Sequence, residues 1–171
     1  MSSREVSPRE PSRLRAAIRR NVSAPWAAAA LAMILLIWGN SLVPGEGSSR
    51  LSLTVVAIVQ GALQGLGLPS AWVTNFLVRK TAHFCEYLIL GVLVSQALDA
   101  PRTARPAAIA AAAVALVCVP AIDETIQLFV DGRAGRLADV LLDCCGAATG
   151  LALRTLIVRR KNIRGKKTAH R

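Results

Sequence analysis

The 171-residue chain is 53% hydrophobic, only 4% aromatic, and carries a net charge of +11. So much apolar content excludes an ordinary soluble domain and points to a bilayer as solvent. Six Lys and Arg lie in residues 4–20 and eight in residues 154–171; basic residues gathered at the ends, with so few aromatics, exclude a stacking surface for nucleic acid.

Residues 1–22 are rich in Ser, Pro and Arg and read as a disordered basic tail that closes in a short basic helix at the membrane surface. Asn21 to Gly45 carries no charge, and WAAAALAMILLIW within it begins a run long enough to cross about 30 Å of hydrocarbon. No small-x-small cleavage site follows, so this run is a span and not a cleaved signal. Residues 51–78 are also uncharged but are interrupted by Gln60, Gly61, Gln64, Gly65, Gly67, Pro69 and Ser70. They predict either a span or an interfacial or re-entrant segment shielded by neighbouring protein. Further spans are expected at 81–98, at 106–122 with a kink at Pro120, and from Leu137 to Val158. In the last, Gly146 and Gly150 have the GxxxG spacing that permits close helix contact, and they offer a surface for a homo-oligomer.

Charge bias decides the doubtful segment. If residues 51–78 do not cross, 16 Lys and Arg lie on the cytoplasmic side against 5 outside; if they cross, the division is 10 against 11 and the bias vanishes. The expectation is therefore an all-α polytopic bundle over residues 23–158, with four transmembrane helices plus one interfacial or re-entrant segment. A basic tail follows at 159–171, and both termini are cytoplasmic. Cys85, Cys118, Cys144 and Cys145 sit in apolar runs at spacings that fit no zinc knuckle or disulfide framework, and read as small buried hydrophobes.

The polar residues are not scattered. Arg79, Lys80, His83 and Glu86 open the second span from the outside; Asp123, Glu124 and Gln127 close the third there; Arg133, Arg136, Asp139 and Asp143 lead into the fourth. Helical spacing puts Lys80, His83, Glu86 and Tyr87 on one side, Asp123 with Gln127, and Arg136 with Asp139 and Asp143. Three such stripes escape lipid only by facing one another, around protein or a water-filled cavity.

RKTAHFCEYLILG and, after a connecting span, DETIQLFVDGRAGRLADVLLDCCGAATG together resemble the VanZ-like family of small bacterial membrane proteins. The resemblance covers about residues 35–155, including Asn40 and Ser41. The family pattern picks out Lys80, His83, Glu86, Asp123, Glu124, Gln127, Arg133, Asp139 and Gly146. The chain departs from it at Asp131, where many members have Pro, and at Asp143, where many have Asn. The resemblance implies a multi-pass protein of the bacterial cytoplasmic membrane, related to a glycopeptide-resistance protein associated with reduced susceptibility to teicoplanin. Some members carry a phosphotransbutyrylase label, for which this sequence has no nucleotide or acyl-carrier site.

Two classes of function fit these residues. Arg79, Lys80, Arg133 and Arg136 lie at headgroup level, where cations grip phosphate. Beneath them, His83 with Glu86 or Asp123 forms a base and its orienter, and Glu124, Gln127, Asp139 and Asp143 complete a binding set. Such a site binds or modifies an anionic envelope lipid or a lipid-linked cell-wall precursor. The same four cations also face six acids, Glu86, Asp123, Glu124, Asp131, Asp139 and Asp143. An interhelical salt-bridge network in a structural membrane protein accounts for them equally. Carboxylates in excess leave room for Mg²⁺ or Ca²⁺, but the membrane region holds one histidine, His170 being in the tail. No metal and no cofactor is assigned on this reading.

Overall fold

A computed structural model describes residues 22–98 and 106–168. Residues 1–21 of the expected N-terminal tail lie outside this range. The described residues form five helices and no strand: α1 (Ala24–Ser41), α2 (Gly45–Gly65), α3 (Asn75–Leu98), α4 (Pro106–Gln127) and α5 (Leu137–Thr168).

Local chemistry sets the boundaries. Pro25 stands in the first turn of α1, where its fixed φ suits a helix start and its missing N–H costs nothing. Pro44 separates α1 from α2. At the end of α2, Gly67 adopts φ +70°, and the Leu68 N–H donates back to the Leu63 carbonyl at 2.9 Å. A left-handed residue of this kind turns the chain out of a helix and satisfies its last carbonyls. Thr74 then caps α3, its hydroxyl accepting from the Leu77 N–H at 3.2 Å. The span therefore begins at Asn75 and not at 81. α4 continues as one helix through the buried Pro120 to Gln127, beyond the expected 122, and α5 carries on past Val158 to Thr168.

Cross-helix contacts fix the directions. The Ser23 N–H donates to the Ala97 carbonyl at 2.8 Å, and the Asn40 amide donates to Glu86 at 3.1 Å, so α1 and α3 are antiparallel. Trp38 donates to the Val119 carbonyl at 3.4 Å and Gln127 to Ser41 at 3.2 Å, so α4 runs with α1. Lys80 pairs with Asp139, and Arg154 donates to Gln96 at 3.0 Å, so α5 runs with α3. Because α1 and α3 are antiparallel, α2 leaves and returns at the same end of the bundle, as the four-span expectation requires. The residues that interrupt it have structural work there: Gln60 donates to the Val73 carbonyl at 2.9 Å and Gln64 to the Ser70 hydroxyl at 3.0 Å.

α1, α3, Ala110–Gln127 of α4 and Leu137–Val158 of α5 are each long and apolar enough to cross a membrane. Burial is inverted relative to a soluble protein. Leu35, Val117 and Leu141 are more than half exposed, whereas Ser41, Ser95, Asp123 and Asp143 rank among the largest fully buried side chains. Apolar exposure on that scale needs lipid around it. The core joins Ile37 of α1, Tyr87, Leu90 and Val94 of α3, Leu116 and Val119 of α4, and Ala147 of α5.

One expectation is revised. Cys85, Cys118 and Cys145 are exposed and Cys144 is half-buried, so these thiols lie largely on the bundle's surface, not in its core. Gly146 and Gly150 pack against the Phe84 and Leu88 carbonyls of α3 in the same chain, so their GxxxG spacing serves close helix contact within the bundle. Arg154 is buried and donates also to Ser95 at 3.3 Å, so it belongs to the bundle, ahead of the basic tail expected at 159–171.

Candidate functional site

The polar stripes meet where α1 and α4 end and α3 and α5 begin. A cleft of about 310 Å³ opens there. Its cationic lining is Arg79, Lys80, Arg133 and Arg136, and the remaining polar wall is formed by His83, Glu124, Gln127, Asp139 and Asp143 with Asn75. Asp143, Glu124 and Gln127 are buried while Arg136 is exposed, so the acids form the floor and the arginine stands at the mouth. Asp123 lies beneath, accepting from the Gln127 amide at 3.4 Å.

Helix ends and loop chemistry hold this arrangement. Arg133, half-buried in the loop between α4 and α5, donates to the Asn40 carbonyl at 2.7 Å and to the Val43 carbonyl at 2.9 Å. A guanidinium at the end of α1 satisfies carbonyls left open there and complements the negative end of the helix dipole. Burial holds Arg133 below the ordinary arginine pKa, and the neighbouring Arg79 pushes the same way. Glu124 accepts from the Arg136 backbone N–H at 2.8 Å and so anchors the loop at the start of α5. Gly132, at φ +71°, lies against Gly45, whose N–H donates to the Asp131 carbonyl at 2.9 Å. A Cβ on Gly45 would fall on the Gly132 carbonyl, so this turn closes only with glycine there.

Charge pairing is sparse for so many ions. Among the side chains that line the cleft, Lys80 pairs with Asp139, and the His83 Nδ1 lies 3.9 Å from an Asp143 oxygen. Asp123 and Asp143 are 0% exposed, yet Asp123 Oδ1 and both Asp143 oxygens have no hydrogen-bond partner. The Tyr87 hydroxyl and Asn75 Oδ1 are also buried without partners. One ligating atom each from His83, Asp123 and Asp143 can be chosen so that all lie within 4.8 Å of one another.

The cleft does not end at its polar wall. A second cavity of about 240 Å³ shares Arg79, His83 and Arg133 with the first and adds Asn40, Glu86 and a set of apolar side chains. A third, of about 400 Å³, shares Val55, Val78 and Ala82 with the second and continues between α2 and α3 along Val59, Trp72 and Leu77. The series runs from charged to apolar.

The residues expected from sequence therefore gather at one end, though not in the expected pairs. Glu86 turns to Asn40 of α1 instead of serving His83, whose nearest carboxylate partner is Asp143 from α5. Sequence reading passed over Asn40, Ser41, Asn75 and Tyr87 as site residues. The polar pair Asn40–Ser41 at the end of an otherwise apolar span was the available signal for the first two.

Four membrane-length helices closed around a cation-rimmed, acid-floored cleft define a multi-pass helical membrane protein with a polar site between its spans. The chain belongs to the VanZ/LLP1 family, whose family model matches residues 26–158. No curated protein and no solved structure matches it.

Proposed function

We propose that this chain is a VanZ-like protein of the bacterial cytoplasmic membrane that binds an anionic envelope lipid, with the headgroup in the cationic cleft and the tail between α2 and α3. Lipid-linked cell-wall precursors are the ligand class through which it lowers susceptibility to teicoplanin. The observation that carries this reading is the series of three cavities, which changes from charged to apolar through shared lining residues. A soluble anion needs no apolar extension, and a neutral lipid needs no Arg79, Lys80, Arg133 and Arg136. Exposed Trp72, in the loop before α3, and exposed Phe76, in the first turn of α3, suit a position at the membrane interface. The Lys and Arg bias supports placing both termini in the cytoplasm, which puts the cleft on the outer face.

The alternative is a structural protein whose polar cluster only ties helices together, and the Lys80–Asp139 pair favours it locally. Asp123 and Asp143 do not fit it, because an ion-pair network that leaves its most buried carboxylates unpaired fails at the task it is invoked for.

Arg79 provides the test, since it lines both polar cavities and makes no hydrogen bond or ion pair among the described residues. Arg79→Gln is expected to keep normal membrane abundance and to lose at least about tenfold in phosphate-headgroup affinity, one charge-assisted contact being worth roughly 1.4 kcal/mol or more. Teicoplanin protection of expressing cells should fall with it. Protection that survives Arg79→Gln, or that falls only in step with abundance, would contradict the lipid reading.

A further inference from the structure

We propose that His83, Asp123 and Asp143 bind a divalent transition-metal ion, Zn²⁺ or Mn²⁺, on the floor of the polar cleft. The three come from α3, α4 and α5, so the ion would tie together the helices that form the site.

The geometry fits a shared ion better than direct pairing. Donors bound at about 2.1 Å to one ion lie about 3 Å apart at right angles and about 4.2 Å apart when opposed. The His83 Nδ1 and Asp143 Oδ2 stand 3.9 Å apart, inside that range and too far for a hydrogen bond. One donor atom each from His83, Asp123 and Asp143 can be chosen so that all three lie within 4.8 Å of one another.

The second observation is burial without partners. Both Asp143 oxygens and Asp123 Oδ1 are buried with no hydrogen-bond partner, and the Tyr87 hydroxyl lies beside Asp123. Two buried carboxylates this close require positive charge; Lys80 is paired with Asp139 and Arg133 with the end of α1, and Arg79 and Arg136, which also line the cleft, are within ion-pair distance of neither aspartate. Gln127 donates to the other Asp123 oxygen, as supporting groups around ligating carboxylates do.

Donor type selects the ion. One imidazole nitrogen with carboxylate oxygens suits first-row transition metals, whereas Ca²⁺ and Mg²⁺ favour oxygen alone. Two fully buried aspartates from separate helices supply what a single histidine could not in the sequence reading. His83 and Asp143 also line the cleft, so the remaining coordination positions face the place where a phosphate would sit. Only that last role rests on the lipid reading; the ion site stands on its own geometry.

The test uses full-length protein in detergent, with any affinity tag removed, from cells grown with Zn²⁺ and Mn²⁺. Elemental analysis is expected to find about one ion per chain, falling at least tenfold in Asp143→Asn and in Asp123→Asn. Wild-type protein stripped with chelator should melt lower and recover when Zn²⁺ or Mn²⁺ alone is returned, a comparison that needs no variant to fold. Reloading with Co²⁺ should give the visible ligand-field absorption of a nitrogen–oxygen site. Metal content equal in wild type and Asp143→Asn, with no thermal response to chelator, would overturn the proposal. An infrared carbonyl band of a protonated acid that disappears in Asp143→Asn would overturn it in favour of a shared proton. Metal binding that persists in Arg79→Gln while lipid binding proves absent would remove the lipid reading and leave the ion site intact.

Discussion

Leucine in place of Gly150 is expected to remove the protein from the membrane fraction. A Cβ at this position would land on the Leu88 carbonyl oxygen and would also touch the Val92 nitrogen at 3.0 Å. These are backbone atoms inside a helix and cannot rotate away. Gly146 and Gly91 lie in the same seam, against the Phe84 and Ala147 carbonyls, so α3 cannot slide to make room without a second collision. Overpacking a tight core costs about 1–3 kcal/mol when side chains can adjust, and more when only backbone can move. The seam also sets the register that brings Lys80 to Asp139 and His83 to Asp143, so whatever protein survives should have lost the site. Gly39→Leu is the control, because a Cβ there meets nothing within 4 Å. Quantitative blotting of membrane fractions should show near-complete loss for Gly150→Leu and wild-type abundance for Gly39→Leu.

Asp143→Asn is expected to stabilise the protein in chelator while ending its function. The side chain is 0% exposed and neither oxygen has a hydrogen-bond partner. An amide of the same shape removes a buried charge at no cost in packing, and a gain of about 1–2 kcal/mol is the scale expected where a functional group is held in an unfavourable place. For a chain of this length that is roughly 2–8 °C in Tm. Asp139→Asn should behave oppositely, because it strips Lys80 of its partner in a half-buried pair. Melting curves of both variants in detergent with chelator separate the two cases. A fall for Asp143→Asn as large as that for Asp139→Asn would mean that Asp143 has a structural partner after all.

The spans were readable from sequence because their uncharged runs match the thickness of a bilayer, and charge bias kept α2 out of them, since its uncharged run alone left crossing open. The start of α3 was missed because Thr74, its cap, lies inside the apolar stretch 51–78, where no change of composition marks a boundary. The cysteines were misplaced for a different reason: in a bilayer an apolar residue gains nothing by facing inward, so Cys85 and Cys118 look outward at no cost. For the site, helical spacing identified which residues share a face but not what they face. Glu86 stands three residues from His83 yet bonds to α1, while Asp143, 60 positions along the chain, approaches the imidazole. The rotation and register of one helix against another are set by contacts such as Gly146 on Phe84, which periodicity within either helix does not encode. That Asp143 and one oxygen of Asp123 lack hydrogen-bond partners likewise becomes visible only once the helices are packed.

An anionic lipid held at the polar end of the bundle should be carried through purification with the protein. Wild-type and Arg79→Gln protein, purified from native membranes in equal folded amounts, should be extracted and their bound lipids identified by mass spectrometry. Phosphate-bearing lipids enriched over the bulk membrane in the wild type, and returned to bulk proportions by Arg79→Gln, are the predicted result. Bound lipid that mirrors the bulk membrane in both proteins would contradict the account.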